Sequence, residues 1–136
     1  MKQSIYNAAL YLRLSRDDEG AGESNSIATQ RMMLRRYAEQ NSLFVVDEYI
    51  DDGYSGTNFN RPSFQRMIGD IEDGRINCVV VKDLSRFGRN YLEMGMYTEM
   101  RFPELGVRFI AVDSGVDSNN QQSTEFTPFL NVINEW

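Results

Sequence analysis

Residues 77–90 read NCVVVKDLSRFGRN. The first five hold a continuous apolar run with no polar alternation. That pattern predicts a strand buried on both faces, as in the centre of a parallel sheet. The polar KDLSRFGRN then leaves the strand and leads into YLEMGMYTEMRF (91–102), which reads as a helix that Pro103 and Gly106 interrupt. Downstream, VRFIAV (107–112) predicts another strand. Upstream, Pro62 suits a first helical turn, and Phe64, Met67, Ile68 and Ile71 form an i, i+3, i+4, i+7 stripe, with Gly74 as a C-terminal cap.

The same alternation extends to both ends. YNAALYLRL (6–14) and LFVVDEYI (43–50) predict strands. Between them SIATQRMMLRRYAEQ (26–40) predicts a helix with Ile27, Leu34 and Tyr37 near one face and Ser24, Asn25 or Ser26 as N-cap. TPFLNVINEW (127–136) starts a last helix, with Thr127 as N-cap and Pro128 at the first position; ending about two turns into it, the chain reads as a piece of a longer protein. Strands alternating with helices predict an α/β domain, a mostly parallel sheet of about four to five strands with helices on both faces.

Composition narrows the chemistry. The 136 residues suffice for one domain with its own core, at 41% hydrophobic and 25% charged. There is no histidine, which excludes Ser-His-Asp triads, Cys-His pairs and HExxH zinc sites. The single cysteine, Cys78, forms no internal disulfide, sits in an apolar strand as inert core, and fits a reducing cytoplasm. No apolar run approaches the ~18 residues of a membrane span. The net charge of −6 argues against a freestanding nucleic-acid binder but allows a local basic site.

In parallel sheets, functional residues gather beyond the carboxyl ends of the strands. Three loops emerge there. The first carries Arg13, Ser15 and Arg16; the second, Asp51 to Arg61, carries Asp52, Ser55 and Arg61; the third carries Ser85, Arg86 and Arg89. Arg86 and Arg89 are spaced i, i+3 and would face the same way in a helical turn. Singly, each loop reads as an ordinary polar surface, and Asp17-Asp18-Glu19 as a solvated one. Together they converge arginines whose repulsion a phosphate would relieve, since it matches the guanidinium fork. Without histidine, a serine nucleophile depends on stabilisation of developing charge. That combination suggests serine attack on phosphorus with no metal. Two other classes fit the residues: a metal-dependent nuclease or phosphotransferase using Asp51, Asp52 and Asp83, and a non-enzymatic domain whose arginines merely bind anions.

YLRLSRDD (11–18), DDGYSGTNFNRP (51–62) and KDLSRFGRNY (82–91) closely resemble three motifs of the serine recombinase (resolvase/invertase) catalytic domain. The wording of the third and the RDDEGAGESNSI insertion are most similar to the large serine recombinases and transposases of bacterial mobile elements. The resemblance covers nearly the whole chain. It implies a three-layer resolvase-like fold, with 1–126 as catalytic domain, 127–136 as the start of a long oligomerisation helix, and a DNA-binding domain outside this chain; with that helix only begun, the fragment alone would be inactive. It implies that Ser15 attacks double-stranded DNA to give a 5′-phosphoserine link, and that Arg13, Arg61, Arg86 and Arg89 bind the phosphate. Gln30, Asp52, Ser55 and Ser85 would support them, and Glu135 would match an acidic position of the long helix. No metal, ATP or other cofactor is implied; dimers and tetramers are, acting on DNA in the bacterial cytoplasm, with no membrane partner. The chain departs from small resolvases at Ser85, where they commonly carry an aspartate; if that aspartate handles the leaving-group proton, its role would here be absent, moved to Asp83 or filled by water.

Overall fold

The computed structural model describes residues 5–15 and 26–119. Arg16, the acidic run Asp17-Asp18-Glu19, Ser24, Asn25 and the predicted helix 127–136 with Thr127, Pro128 and Glu135 lie outside the described residues.

Strand β1 (Asn7–Leu14) sets the frame. Side chains alternate along a strand, so Ala8, Leu10 and Leu12 face one side and Ala9, Tyr11 and Arg13 the other, and all six are buried. A strand apolar on both faces belongs inside a sheet. β1 indeed pairs on one edge with β2 (Phe44–Asp52) and on the other with β3 (Cys78–Val81), both parallel. The sheet has five strands in the order β2-β1-β3-β4-β5, with β4 (Arg108–Ala111) parallel to β3. The short β5 (Val116–Asp117) runs antiparallel to β4. Asp117 takes Arg108 in a two-pronged pair at 2.9 and 2.6 Å, which ties that last hairpin together.

Helices cover both faces, as the sequence predicts. Helix α1 (Ile27–Gln40), capped by the Ser26 hydroxyl, lays Leu34 and Ala38 against Ala8, Leu10, Leu12, Cys78, Val80 and Ile110. On the opposite face, α2 (Pro62–Glu72) contributes Phe64, Met67 and Ile71. Beside it run a single turn, α3 (Leu84–Phe87), and a longer helical segment made of α4 (Tyr91–Gly95), a π-helical stretch Met96–Arg101, and α5 (Phe102–Leu105). Phe59, Phe64, Phe87, Tyr97, Phe102 and Phe109 interlock there, with neighbouring ring centroids 4.8–6.2 Å apart. Cys78 is buried, and that burial pushes its thiol up to about 12, so it is inert core. No helix of the described residues is long and apolar enough to cross a membrane.

Two local expectations are corrected. Pro103 does not interrupt its helix, which runs on to Gly106 and ends there in a left-handed turn (φ 71°). A proline lacks an N–H and crowds the carbonyl four residues back. Here the wider π stretch precedes it, and Phe102 N–H donates to the Tyr97 carbonyl five residues back. Strand β2 runs two residues past its predicted end, placing Asp51 opposite Arg13 and Asp52 opposite Leu14. The sheet order changes direction between β1 and β3, the position where such sheets build their sites.

Phe64→Ala, at the centre of the aromatic group, is expected to cost about 3–5 kcal/mol in denaturant unfolding. Met100→Ala on the exposed helical face should stay within about 0.5 kcal/mol of wild type.

Candidate active site

Arg13 is fully buried at the end of β1. A buried guanidinium is costly unless its donors are satisfied. Its Nε donates to the Arg86 carbonyl at 3.1 Å, Nη2 to the Ser85 carbonyl at 2.5 Å and Nη1 to the Tyr54 carbonyl at 2.9 Å. One side chain therefore ties the second and third loops to β1. Gln30 anchors the backbone of the same residue from α1: its Oε1 accepts from Arg13 N–H at 3.3 Å, and its Nε2 donates to the Arg13 carbonyl at 3.0 Å. Arg86 Nη1 donates to that carbonyl as well, at 3.0 Å. These bonds converge two residues before Ser15, which is itself buried, at 3% exposed.

Arg61 closes the second loop and is as deeply buried as Arg13. Its Nε donates to the Asn58 carbonyl, Nη1 to the Tyr11 hydroxyl and Nη2 to the Phe87 carbonyl, at 3.0, 2.9 and 2.7 Å. Its guanidinium carbon stands 4.5 Å from the Phe59 ring centre and 5.1 Å from that of Phe64, so cation–π contacts help hold the charge.

In the third loop Asp83 caps the short turn α3. Its Oδ1 accepts from Arg86 N–H at 3.1 Å and from the Ser85 hydroxyl at 2.5 Å. Burial works against ionisation of Asp83, but the Ser85 hydroxyl, the Arg86 N–H and the Arg86 and Lys82 charges hold its carboxyl below the usual range. Arg86 Nε and Nη2 lie 3.4 and 3.3 Å from the Ser85 hydroxyl. Arg86 and Arg89 do not share a helical face, contrary to their spacing. The helix ends at Gly88, whose φ of 175° is extended, leaving Arg86 buried and Arg89 exposed. Arg89 is instead fixed across the second loop, its N–H donating to the Gly56 carbonyl at 2.6 Å.

The other three arginines act on Arg13. Burial first, then the charges of Arg86, Arg61 and Arg89, push the Arg13 guanidinium down to about 10, so it stays charged at neutral pH but under repulsion. The two polar residues of the second motif stand apart from this cluster: Asp52 is exposed, and the exposed Ser55 hydroxyl pairs with Thr57 at 2.8 Å in a local turn. Asp51 is the buried carboxylate, and its oxygens are engaged by Ser63 N–H, Phe64 N–H and the Tyr11 hydroxyl. Among the described residues, no three or more Asp, Glu, Cys or His side chains gather as a metal site would require. Sequence reasoning missed Tyr11 and Gly56 and read Asp51 only as a metal ligand. The period-two alternation that puts Tyr11 on the same face as Arg13 and Ser15 is the signal that points to Tyr11.

Gly56 is required by space. A Cβ there would lie 2.7 Å from Arg13 Nη2 and 3.2 Å from Arg89 Cγ. Gly56→Ala is expected to displace both arginines and to weaken anion binding at the cluster at least about tenfold. Thermal unfolding and titration with inorganic phosphate on the same preparation check this; an unchanged affinity would contradict it.

Comparison with known proteins gives a consistent result. Residues 8–136 match the family model for the resolvase N-terminal domain. The N-terminal catalytic domain of TP901-1 integrase superposes with a TM-score of 0.82 at 31% identity, covering 95% of this chain and 94% of that one. A resolvase family site-specific recombinase from Streptococcus pneumoniae does so with a TM-score of 0.77 at 29% identity, over 96% of this chain and 87% of that one. The "Uncharacterized immunity region protein 3" of Bacillus phage phi105 is 34% identical over 68 residues, which are 50% of this chain and 82% of that protein. The chain belongs to the resolvase N-terminal domain family, the catalytic domain of the serine recombinases.

Proposed function

We propose that this domain cleaves and rejoins double-stranded DNA through a covalent serine intermediate. Ser15 Oγ attacks a backbone phosphorus; the Oγ–P bond forms and the P–O3′ bond breaks. The result is a 5′-phosphoserine link and a free 3′ hydroxyl, the proton lost by the Ser15 hydroxyl balancing the one gained by the departing oxygen. Religation runs the same step backwards after strand exchange. The phosphoserine bond retains the energy of the broken diester, so the cycle draws on no ATP.

What carries this reading is the concentration of positive charge at the end of β1. Arg13, Arg61 and Arg86 are buried, Arg89 is held beside them across Gly56, and the Arg13 guanidinium is pressed by the other three charges. A pentavalent phosphorane, with more negative charge than the ground-state diester, gains most from such a cluster. Arg86 and Arg89 serve as the main phosphate contacts. Arg13 and Arg61 add charge while holding the loops. Gln30 fixes the backbone before Ser15 and Ser85 adds a hydroxyl beside Arg86, while the exposed Asp52 and Ser55 stay apart from this lining. The protein acts as dimers and tetramers assembled on two DNA sites.

In the intact recombinase, Ser15→Ala is expected to abolish covalent protein–DNA adducts on denaturing gels while DNA binding in a mobility-shift assay survives. Arg86→Ala should slow cleavage by about a hundred- to a thousandfold, as loss of one transition-state donor does elsewhere. Wild-type adduct formation should persist in EDTA. Adducts formed by Ser15→Ala, or cleavage abolished by chelation, would overturn the assignment.

A further inference from the structure

Arg13 and Arg61 together hold three successive carbonyls of the third loop: those of Ser85 and Arg86 by Arg13, and that of Phe87 by Arg61. Arg86 lies within this clamped stretch and Arg89 two residues beyond it. What sets Arg61 is a buried chain that starts outside the residues assigned to the reaction. Asp51 Oδ1 accepts from Ser63 N–H at 2.9 Å, and Oδ2 accepts from Phe64 N–H at 2.9 Å and from the Tyr11 hydroxyl at 2.8 Å. The Tyr11 oxygen in turn accepts from Arg61 Nη1 at 2.9 Å. Asp51, Tyr11 and Arg61 are each at most 2% exposed.

The direction of this chain is fixed by its chemistry. A guanidinium only donates and a carboxylate only accepts, so the hydroxyl between them must accept from Arg61 and donate to Asp51. Burial keeps the Tyr11 hydroxyl protonated against the pull of Arg61, and Asp51 beside it adds to that effect. The chain has one polarity and one geometry. A buried polar network with every member satisfied is rigid, and removing one member leaves the others unpaired.

We propose that Asp51 is a positioning residue for the recombination reaction. Through Tyr11 and Arg61 it sets the Phe87 carbonyl, and so the placement of Arg86 and Arg89 relative to Ser15. It touches no reacting atom. The inference rests on the phosphoserine reading above, and its test separates the two.

The rate of covalent adduct formation at saturating DNA, the DNA affinity and thermal unfolding are measured for the intact recombinase and its variants. Asp51→Asn retains an oxygen able to cap α2 but cannot accept from every donor. Tyr11→Phe leaves the α2 cap intact and breaks the chain in the middle. Each is expected to slow adduct formation about ten- to a hundredfold with DNA affinity within about twofold of wild type. The double variant should be no slower than the slower single one, because both break the same chain. Ser63→Ala removes the hydroxyl bond to the Ile50 carbonyl (2.7 Å) but keeps the N–H to Asp51, so it should react like wild type. Wild-type rates in Asp51→Asn or Tyr11→Phe, rate losses that multiply in the double variant, or a Ser63→Ala protein as slow as Asp51→Asn would overturn the inference. If Asp51→Asn fails to fold, Tyr11→Phe decides. A wild-type protein that forms no adduct would overturn the function on which the inference rests.

Discussion

The burial of the Arg13 guanidinium is the constraint on which the rest of the site depends. Taking such a charge out of water costs several kcal/mol even after relaxation. The structure offsets this with three backbone carbonyls, two from the third loop and one from the second. Hydrogen bonds to a charged group contribute about 1.5–3 kcal/mol each. The same bonds that make the burial tolerable also bring loops distant in sequence to the end of β1. Support of the charge and assembly of the site are one event.

Around this clamp the domain divides its arginines by depth. Arg13 and Arg61 are internal, and their donors hold the third-loop backbone. Arg86 lies between, bonded to the Arg13 carbonyl on one side and near the Ser85 hydroxyl on the other. Arg89 alone of the four is exposed. The aromatic group beneath, with Phe59 and Phe64 against Arg61, gives the inner arginines a packed wall. A charge cluster held this way needs little reorganisation to meet an anion. That suits a protein with no imidazole to act as base.

Much of this was legible in the sequence. The apolar run Cys78–Val81 marked the central strand, the Phe64, Met67 and Ile71 stripe marked α2, and three polar loops at strand ends marked the site. What stayed hidden depended on tertiary context. Pro103 read as a break, because nothing local announces the π stretch that accommodates it. Arg86 and Arg89 read as neighbours on one helical face, but α3 ends at Gly88, which packs against Phe59 so closely that a Cβ would come within 2.6 Å of the ring. Asp51 and Asp52 are adjacent in sequence and opposite in fate. The alternation of β2 turns Asp51 towards the α2 backbone and Tyr11, and leaves Asp52 exposed.

The central claim is that the strand-end serine, within this arginine cluster, becomes the covalent link to DNA. The most direct measurement is tandem mass spectrometry of the peptide left attached to DNA when cleavage is trapped before religation. The account predicts a phosphodiester remnant on Ser15, joined to the 5′ end of the cleaved strand. A remnant on any other residue, or on the 3′ end, would contradict it.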